Sequence, residues 1–352
     1  MSAVAEGEAG AGSGAGAGSG AGAESGAGAG SGAGAGVKAS HGATWAGLWV
    51  VYLVWGSTYL AIAVAIESMP PELALALRFV TAAILLAGYL AVRHGPRTLL
   101  VPWREIRGAA IIGSLLLGVA IGTLTLAERY VPSGVAALLV AINPLWIVIM
   151  RRATGDHPKL ITWLGVIVGL SGVAVLVMPG DHVAALGGAT STQRALWSLA
   201  IVCGSFCWSV GSFIQPKIST PRNPLVLAMY EMFAGAIVLA LVGTFRGERI
   251  ADFANASTRS WLALSYLVTF GSLLAFTVFV WLVTHAPLSL ISTYAYVNPV
   301  VAVALGWWIK SEPITGGLIV GGAIVVGGVV LVVSGEWPAR MHRQHQESDH
   351  SP

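Results

Sequence analysis

The sequence predicts an all-α integral membrane protein, with ten transmembrane helices forming two inverted five-helix repeats, and three observations carry that prediction. The first is composition: of 352 residues, 55% are hydrophobic and only 10% charged, against roughly 25% charged in an ordinary soluble domain. Nineteen basic and sixteen acidic side chains cannot clothe a water-soluble surface, which excludes a soluble enzyme, a nucleic-acid binder and a disordered scaffold. The second is a succession of apolar stretches of about 20 residues, the length that crosses a ~30 Å hydrocarbon core. The third is an internal repeat.

Residues 1–44 come first, an arm whose first 40 positions hold 14 of the 45 glycines. Lacking large apolar side chains, it cannot offset the entropy of ordering and reads as a disordered cytoplasmic segment, with silk-like stacking as the alternative. It has neither the basic start nor the apolar run of a signal peptide. Spans follow at 46–66, 73–92, 108–127, 132–150 and 160–178, then at 195–214, 225–245, 261–283, 287–309 and 314–334. They divide into a first repeat over 45–180 and a second over 195–335, with a polar, disordered cytoplasmic tail over 336–352. Placing both termini in the cytoplasm leaves 12 Lys and Arg on the cytoplasmic side and 6 on the other, as the positive-inside rule requires. The net charge of +3 therefore reports loop placement. Trp45, Trp103, Trp197, Trp261 and Trp337 fall near span ends and read as interfacial anchors.

The repeat is visible residue by residue. Trp55 and Trp208, Pro71 and Pro224, and Arg78 and Glu231 are each 153 apart; Pro132 and Pro287, and Asn143-Pro144 and Asn298-Pro299, are each 155 apart. An odd number of spans per half turns the second half upside down, a transporter signature. Gly165 with Gly169 and Gly317 with Gly321 form matched small-residue pairs in spans five and ten, a pattern for close helix contact within the chain or in a homodimer. Cys203 and Cys207 lie on one helical face and read as packing residues, and no spacing binds a metal.

A charge in hydrocarbon costs at least about 2.5 kcal/mol by insertion scales and must face a cavity or a partner. Arg78 and Glu231 are the ionisable residues at matched positions inside the spans. They have three readings: a structural pair, a substrate or proton role, or snorkelling. Pro144 and Pro299 break helical hydrogen bonding near the bilayer midplane, freeing the carbonyls of Val140 and Ala295, and Asn143 and Asn298 beside them add donors and acceptors. That makes an interrupted helix lining a site, or a packing kink. Trp55, Gly56, Ser57, Thr58 and Tyr59 in span one, Trp208, Ser209 and Ser212 in span six, and Ser292, Thr293, Tyr294 and Tyr296 in span nine add a mixed aromatic and polar wall. The substrate-binding candidates are thus Trp55, Ser57, Tyr59, Arg78, Asn143, Trp208, Glu231, Tyr294 and Asn298. Glu231 and Glu128 are the proton-coupling candidates. Glu67, Glu72, Glu128 and Glu312 fall at outward span ends, where solvated carboxylates are the default; Glu128 follows an apolar run directly and is the one a cavity would reach.

At W-G-S-T-Y-L-A-I (Trp55–Ile62), E-S-M-P-P (Glu67–Pro71), L-R-F (Leu77–Phe79), A-E-R-Y-V-P-S-G (Ala127–Gly134) and S-T-Y-A-Y-V-N-P-V (Ser292–Val300) the chain resembles the EamA-type exporters of the drug/metabolite transporter superfamily, over about residues 45–335. It is most similar to their ten-helix bacterial inner-membrane subgroup. That resemblance implies export of small organic solutes such as amino acids, metabolites or drugs through a central cavity, with spans five and ten peripheral. No cofactor is expected, and the partners are the lipid bilayer, the solute, protons as candidate coupling ion and no nucleic acid. No GxxxxGK[ST] loop is present, so ATP does not drive transport directly. A facilitative or uptake carrier is the alternative; a channel or membrane-embedded enzyme is remote, because neither a ring of pore charges nor a catalytic constellation is found.

Overall fold

The computed structural model describes residues 41–155, 157–178, 183–186, 188–285 and 294–348, the side chains of 41, 280, 283–285 and 336–348 excepted. The glycine-rich arm, Pro287, Ser292, Thr293 and the side chain of Trp337 lie outside what is described.

Among the described residues every long element is helical. The helices are α1 (His41–Ala65), α2 (Pro71–His94), α3 (Trp103–Ala127), α4 (Ser133–Ala153), α5 (Leu160–Val177), α6 (Ser191–Ile214) and α7 (Pro224–Phe245). Next come α8, continuous through Thr258–Tyr266, Leu267–Leu274 and Ala275–His285, then α9 (Tyr294–Lys310) and α10 (Gly316–Ser348). Nine of these carry a described stretch long and apolar enough to cross a membrane, and α9 is the tenth helix. The expected ten-helix membrane fold is thus found. The backbone of α10 is helical to Ser348, beyond the apolar pattern.

The packing follows the repeat. α2 packs along its own counterpart α7, and α5 along its counterpart α10; α1 packs on α8 and α9, while α6 packs on α3 and α4. Each half thus fills its interior with helices of the other. α5 and α10 meet through glycine: a Cβ on Gly165 would stand 2.7 Å from the Val332 nitrogen, and one on Gly328 would strike the Gly169 backbone. The small-residue faces are filled within the chain, which removes the feature that pointed to a homodimer.

Two details of helix geometry also repeat. Ser114–Ile121 in α3 and Leu267–Leu274 in α8 are both eight-residue π-helical segments, offset by the same 153 residues as Pro71 and Pro224. Such widened turns cluster at functional sites. The Asn-Pro pairs behave differently from one another. α4 is broken at Ala141–Ile142 into Ser133–Val140 and Asn143–Ala153, whereas α9 runs unbroken through Pro299.

Candidate functional site

The aromatic and polar wall forms where α1 meets α8 and α9. A Cβ on Gly56 would lie 2.7 Å from Val301 Cβ, so only glycine allows this approach of α1 to α9. There the Trp55 ring packs against Phe279 at 5.0 Å and edge-on against Tyr294 at 5.4 Å. Ser57 Oγ donates to the Val54 carbonyl at 2.8 Å and stands 2.6 Å from the Tyr266 hydroxyl. With its amide nitrogen turned to donate, Asn298 reaches the carbonyls of Tyr52 and Tyr294, each at 3.2 Å. Asn298 thus ties α9 to α1. Tyr59 lies within electrostatic range of Glu128 and Tyr294.

The second Asn-Pro pair serves the opposite partner. Ser209 Oγ, next to Trp208, donates to the Asn143 carbonyl at 3.2 Å and approaches its Oδ1 at 3.4 Å, while Trp146 Nε1 donates to Ser205 Oγ at 3.0 Å. Ser205 and Trp146 were missed in the sequence; the signal was there, since Ser205 precedes Ser209 by one helical turn.

Arg78 and Glu231 are both buried, at 7% and 9% exposure, and the direct pair, one of their three readings, is not made. Arg78 Nε donates to Ser272 Oγ at 3.1 Å, inside the π-helical segment of α8, and its guanidinium lies 4.8 Å from the Phe79 ring centre. Glu231 sits where α7 crosses α3, its backbone closed against Gly113, and its Oε1 has no hydrogen-bond partner. The repeat explains the separation: seven residues in from opposite ends of antiparallel helices puts the two charges at different depths.

The default of solvated carboxylates is overturned for Glu72 and Glu312, and Glu128, set apart in the sequence as the one a cavity would reach, is buried as well. Glu72, Glu128 and Glu312 are 1%, 3% and 6% exposed; only Glu67 is open, pairing with Lys310 at 3.2 Å and Arg259 at 3.8 Å. Short loops between packed helices keep these side chains against the protein interior. Glu312 accepts from Ser133 N at 3.1 Å, Ser133 Oγ at 3.0 Å and Gly134 N at 3.4 Å. Glu248 accepts from Glu72 N at 3.3 Å and Leu73 N at 2.9 Å. Glu128, immediately beyond the α3 span, has no partner for either oxygen; burial first and the Glu312 carboxylate second hold it well above the ordinary 4.5, with Lys310 opposing. Arg194, one residue outside the sixth predicted span, is fully buried and donates to the carbonyls of Leu176 and Met178, each at 2.6 Å. It thereby satisfies the open carbonyls at the end of α5. Trp197 stacks on Tyr130 at 5.3 Å, and Trp45, Trp103 and Trp261 are exposed.

At this same end a cavity of about 410 Å³ opens between Ile66–Pro71 and Arg246–Asp252, with Arg129 on its wall. Along the sides of α2 and α7 lies an apolar groove walled by Leu77, Val80, Phe233 and Trp261.

Two stretches, residues 43–178 and 195–334, each match the EamA-like transporter family. The chain belongs to the EamA-like transporter family. Its two matched stretches are the two repeats, and it is a multi-pass membrane transporter, not an enzyme. The chain is similar to the uncharacterized inner membrane transporter YedA of Escherichia coli, at 35% identity over 82% of this chain and 90% of that one. It is also similar to the uncharacterized transporter YoaV of Bacillus subtilis (26%, over 78% and 91%). A probable terminal-alkyne amino-acid exporter of Streptantibioticus cattleyicolor is 26% identical over 82% and 93%. A solved crystal structure, 23% identical, superposes with a TM-score of 0.56 over 82% of this chain and 96% of that one, which shows the fold.

Proposed function

We propose that this EamA-family chain is a secondary-active exporter of small organic solutes, working by alternating access about a site between its two halves. One observation carries the reading. Buried and half-buried polar groups from both repeats gather on surfaces that one half presents to the other: Arg78 on Ser272, Asn143 on Ser209 and Asn298 on Tyr52. The unpartnered Glu231 oxygen joins them. Polar groups kept inside a membrane domain at the interface of an inverted repeat are the marks of a carrier site. The aromatic face of Trp55 and Tyr294 suits the apolar part of a solute, and Arg78 and Glu231 its charges or a coupling proton. The amino-acid exporter among the relatives makes amino acids the first solutes to test.

Protons are the proposed coupling ion, with Glu231 and Glu128 as the groups that take them up; both are buried carboxyls whose oxygens lack full hydrogen bonding. The bias in Lys and Arg supports cytoplasmic termini and an inner-membrane location, which puts Glu67, Glu72, Glu128, Glu248 and Glu312 at the outer end. In liposomes, the purified protein is expected to show saturable counterflow of a labelled amino acid, and Glu231→Gln to lose its response to a pH gradient. Unchanged pH dependence in Glu231→Gln removes that role. An absence of saturable counterflow across a panel of amino acids, metabolites and cationic drugs sinks the exporter reading.

A further inference from the structure

The α1–α2 end of the molecule carries a repeated device that the solute site does not use. α7 finishes with Gly247 in the left-handed region at φ 86°, and its Glu248 nitrogen turns back to the Gly243 carbonyl at 2.9 Å. α9 finishes with Ser311 in the same region at φ 55°, and its Glu312 nitrogen turns back to the Gly306 carbonyl at 3.1 Å. In both places the reversal throws the next side chain, a glutamate, across onto the first half. In both places a glycine on the donor helix clears its path: a Cβ on Gly243 would stand 2.9 Å from Glu248 Oε2, and one on Gly306 would stand 2.5 Å from Glu312 Oε2.

The receiving helices explain why a carboxylate is wanted there. α2 and α4 are preceded by Pro70 and Pro132, which offer no side-chain acceptor, so the first amide groups of each helix have no local cap. A carboxylate meeting those N–H groups makes charge-assisted hydrogen bonds, aided by the positive end of the helix. Further links crossing between the halves at this end are Glu67 with Lys310 and Arg259, and Ser68 with Ser257 and Ser260. Toward the opposite end the Tyr230 hydroxyl donates to the Leu99 carbonyl at 2.7 Å, again between the halves.

From this geometry we infer that Glu248 and Glu312 are a pair of releasable clasps that hold this end closed, and that opening toward this end requires both to let go of α2 and α4. The inference deepens the alternating-access reading and rests on it. Ser311 fits a part built to move: a non-glycine residue held in the left-handed region costs about 1 kcal/mol or more, and such strain gathers at elements that switch. The clasps act by positioning helices; neither is required to touch the solute.

The test needs no solute. With Cys203 and Cys207 replaced by serine, a single cysteine is placed at Ala127, fully buried at this end, or at Ala82, fully buried in the α2 core. Reaction of the detergent-solubilised protein with a charged maleimide then reads opening at each position. Glu312→Ala and Glu248→Ala are expected to speed labelling at Ala127→Cys about tenfold, Glu312→Gln to give a smaller gain, and Ala82→Cys to stay protected throughout. Unchanged labelling at Ala127→Cys overturns the inference. So does faster labelling at both positions, because the carboxylates then hold the fold and not one end of it. Selective opening at Ala127→Cys together with an absence of saturable counterflow would keep the clasps and sink the exporter reading, whereas solute counterflow with unchanged labelling would do the reverse.

Discussion

The starts of α2 and α7 are equivalent by repeat, yet they are capped in different ways. α7 caps itself: Asn223 Oδ1 accepts from the Leu225 nitrogen at 2.9 Å, two residues along. α2 has proline at the matching position 70 and takes its cap from Glu248, 176 residues away. α4 does the same with Glu312. A duplicated fold therefore keeps its helices but not the way their ends are satisfied. A local cap stabilises one helix, whereas a borrowed cap stabilises the contact between halves, so that loss of the second kind is felt at an interface.

That contrast can be broken experimentally, beginning with the largest effect. Glu312→Ala strands the Ser133 and Gly134 amides and the Ser133 hydroxyl in a buried place, and is expected to cost about 2–4 kcal/mol, read as a drop in thermal midpoint in detergent. Replacement of Glu128 is expected to act next and to depend on pH. The folded protein holds this proton more tightly than the unfolded chain, so the stability it brings is complete below about pH 4.5 and lost as pH rises through the elevated value. The midpoint of the wild type relative to Glu128→Gln should thus fall as pH rises; a flat difference would mean that Glu128 is ionised in the fold. Asn223→Ala should cost only about 1 kcal/mol and leave labelling at Ala127→Cys untouched, because its cap joins nothing across the halves. A rise in labelling there would erase the distinction between local and borrowed caps. The smallest effect expected is a gain: Ser311→Gly relieves the left-handed serine and should raise stability by up to about 1 kcal/mol, bringing the α9 clasp to the chemistry α7 already has at Gly247.

The spans were legible because hydrocarbon demands about 20 apolar residues whatever the neighbours are. The repeat was legible because Pro, Trp and Asn-Pro recur at fixed offsets. Parts of the candidate wall were also within reach: Gly56 meets Asn298 where α1 crosses α9, and Ser57 beside it meets Tyr266 of α8. Less visible were the partners. Ser272 and Tyr266 look like ordinary small polar and aromatic residues until α8 is laid against α1 and α2. Glu248 and Arg194 look like loop charges until helix ends lacking local partners are brought beside them. The break of α4 at Ala141–Ile142, against the unbroken α9, likewise could not be read from the same two letters, Asn-Pro, in both.

What the sequence determined by itself was the membrane class, the number and approximate bounds of the helices, and the inverted duplication, because each follows from solvent preference and chain length acting locally. What the tertiary structure decided was the fate of the charges. Arg78 and Glu231 are kept apart by the antiparallel run of α2 and α7, and Glu312, expected in water, is folded onto a helix start of the other half. The reason is physical: transfer from water acts on each residue alone, but the cost of a buried charge depends on which N–H or hydroxyl reaches it, and only the packed halves bring those groups together.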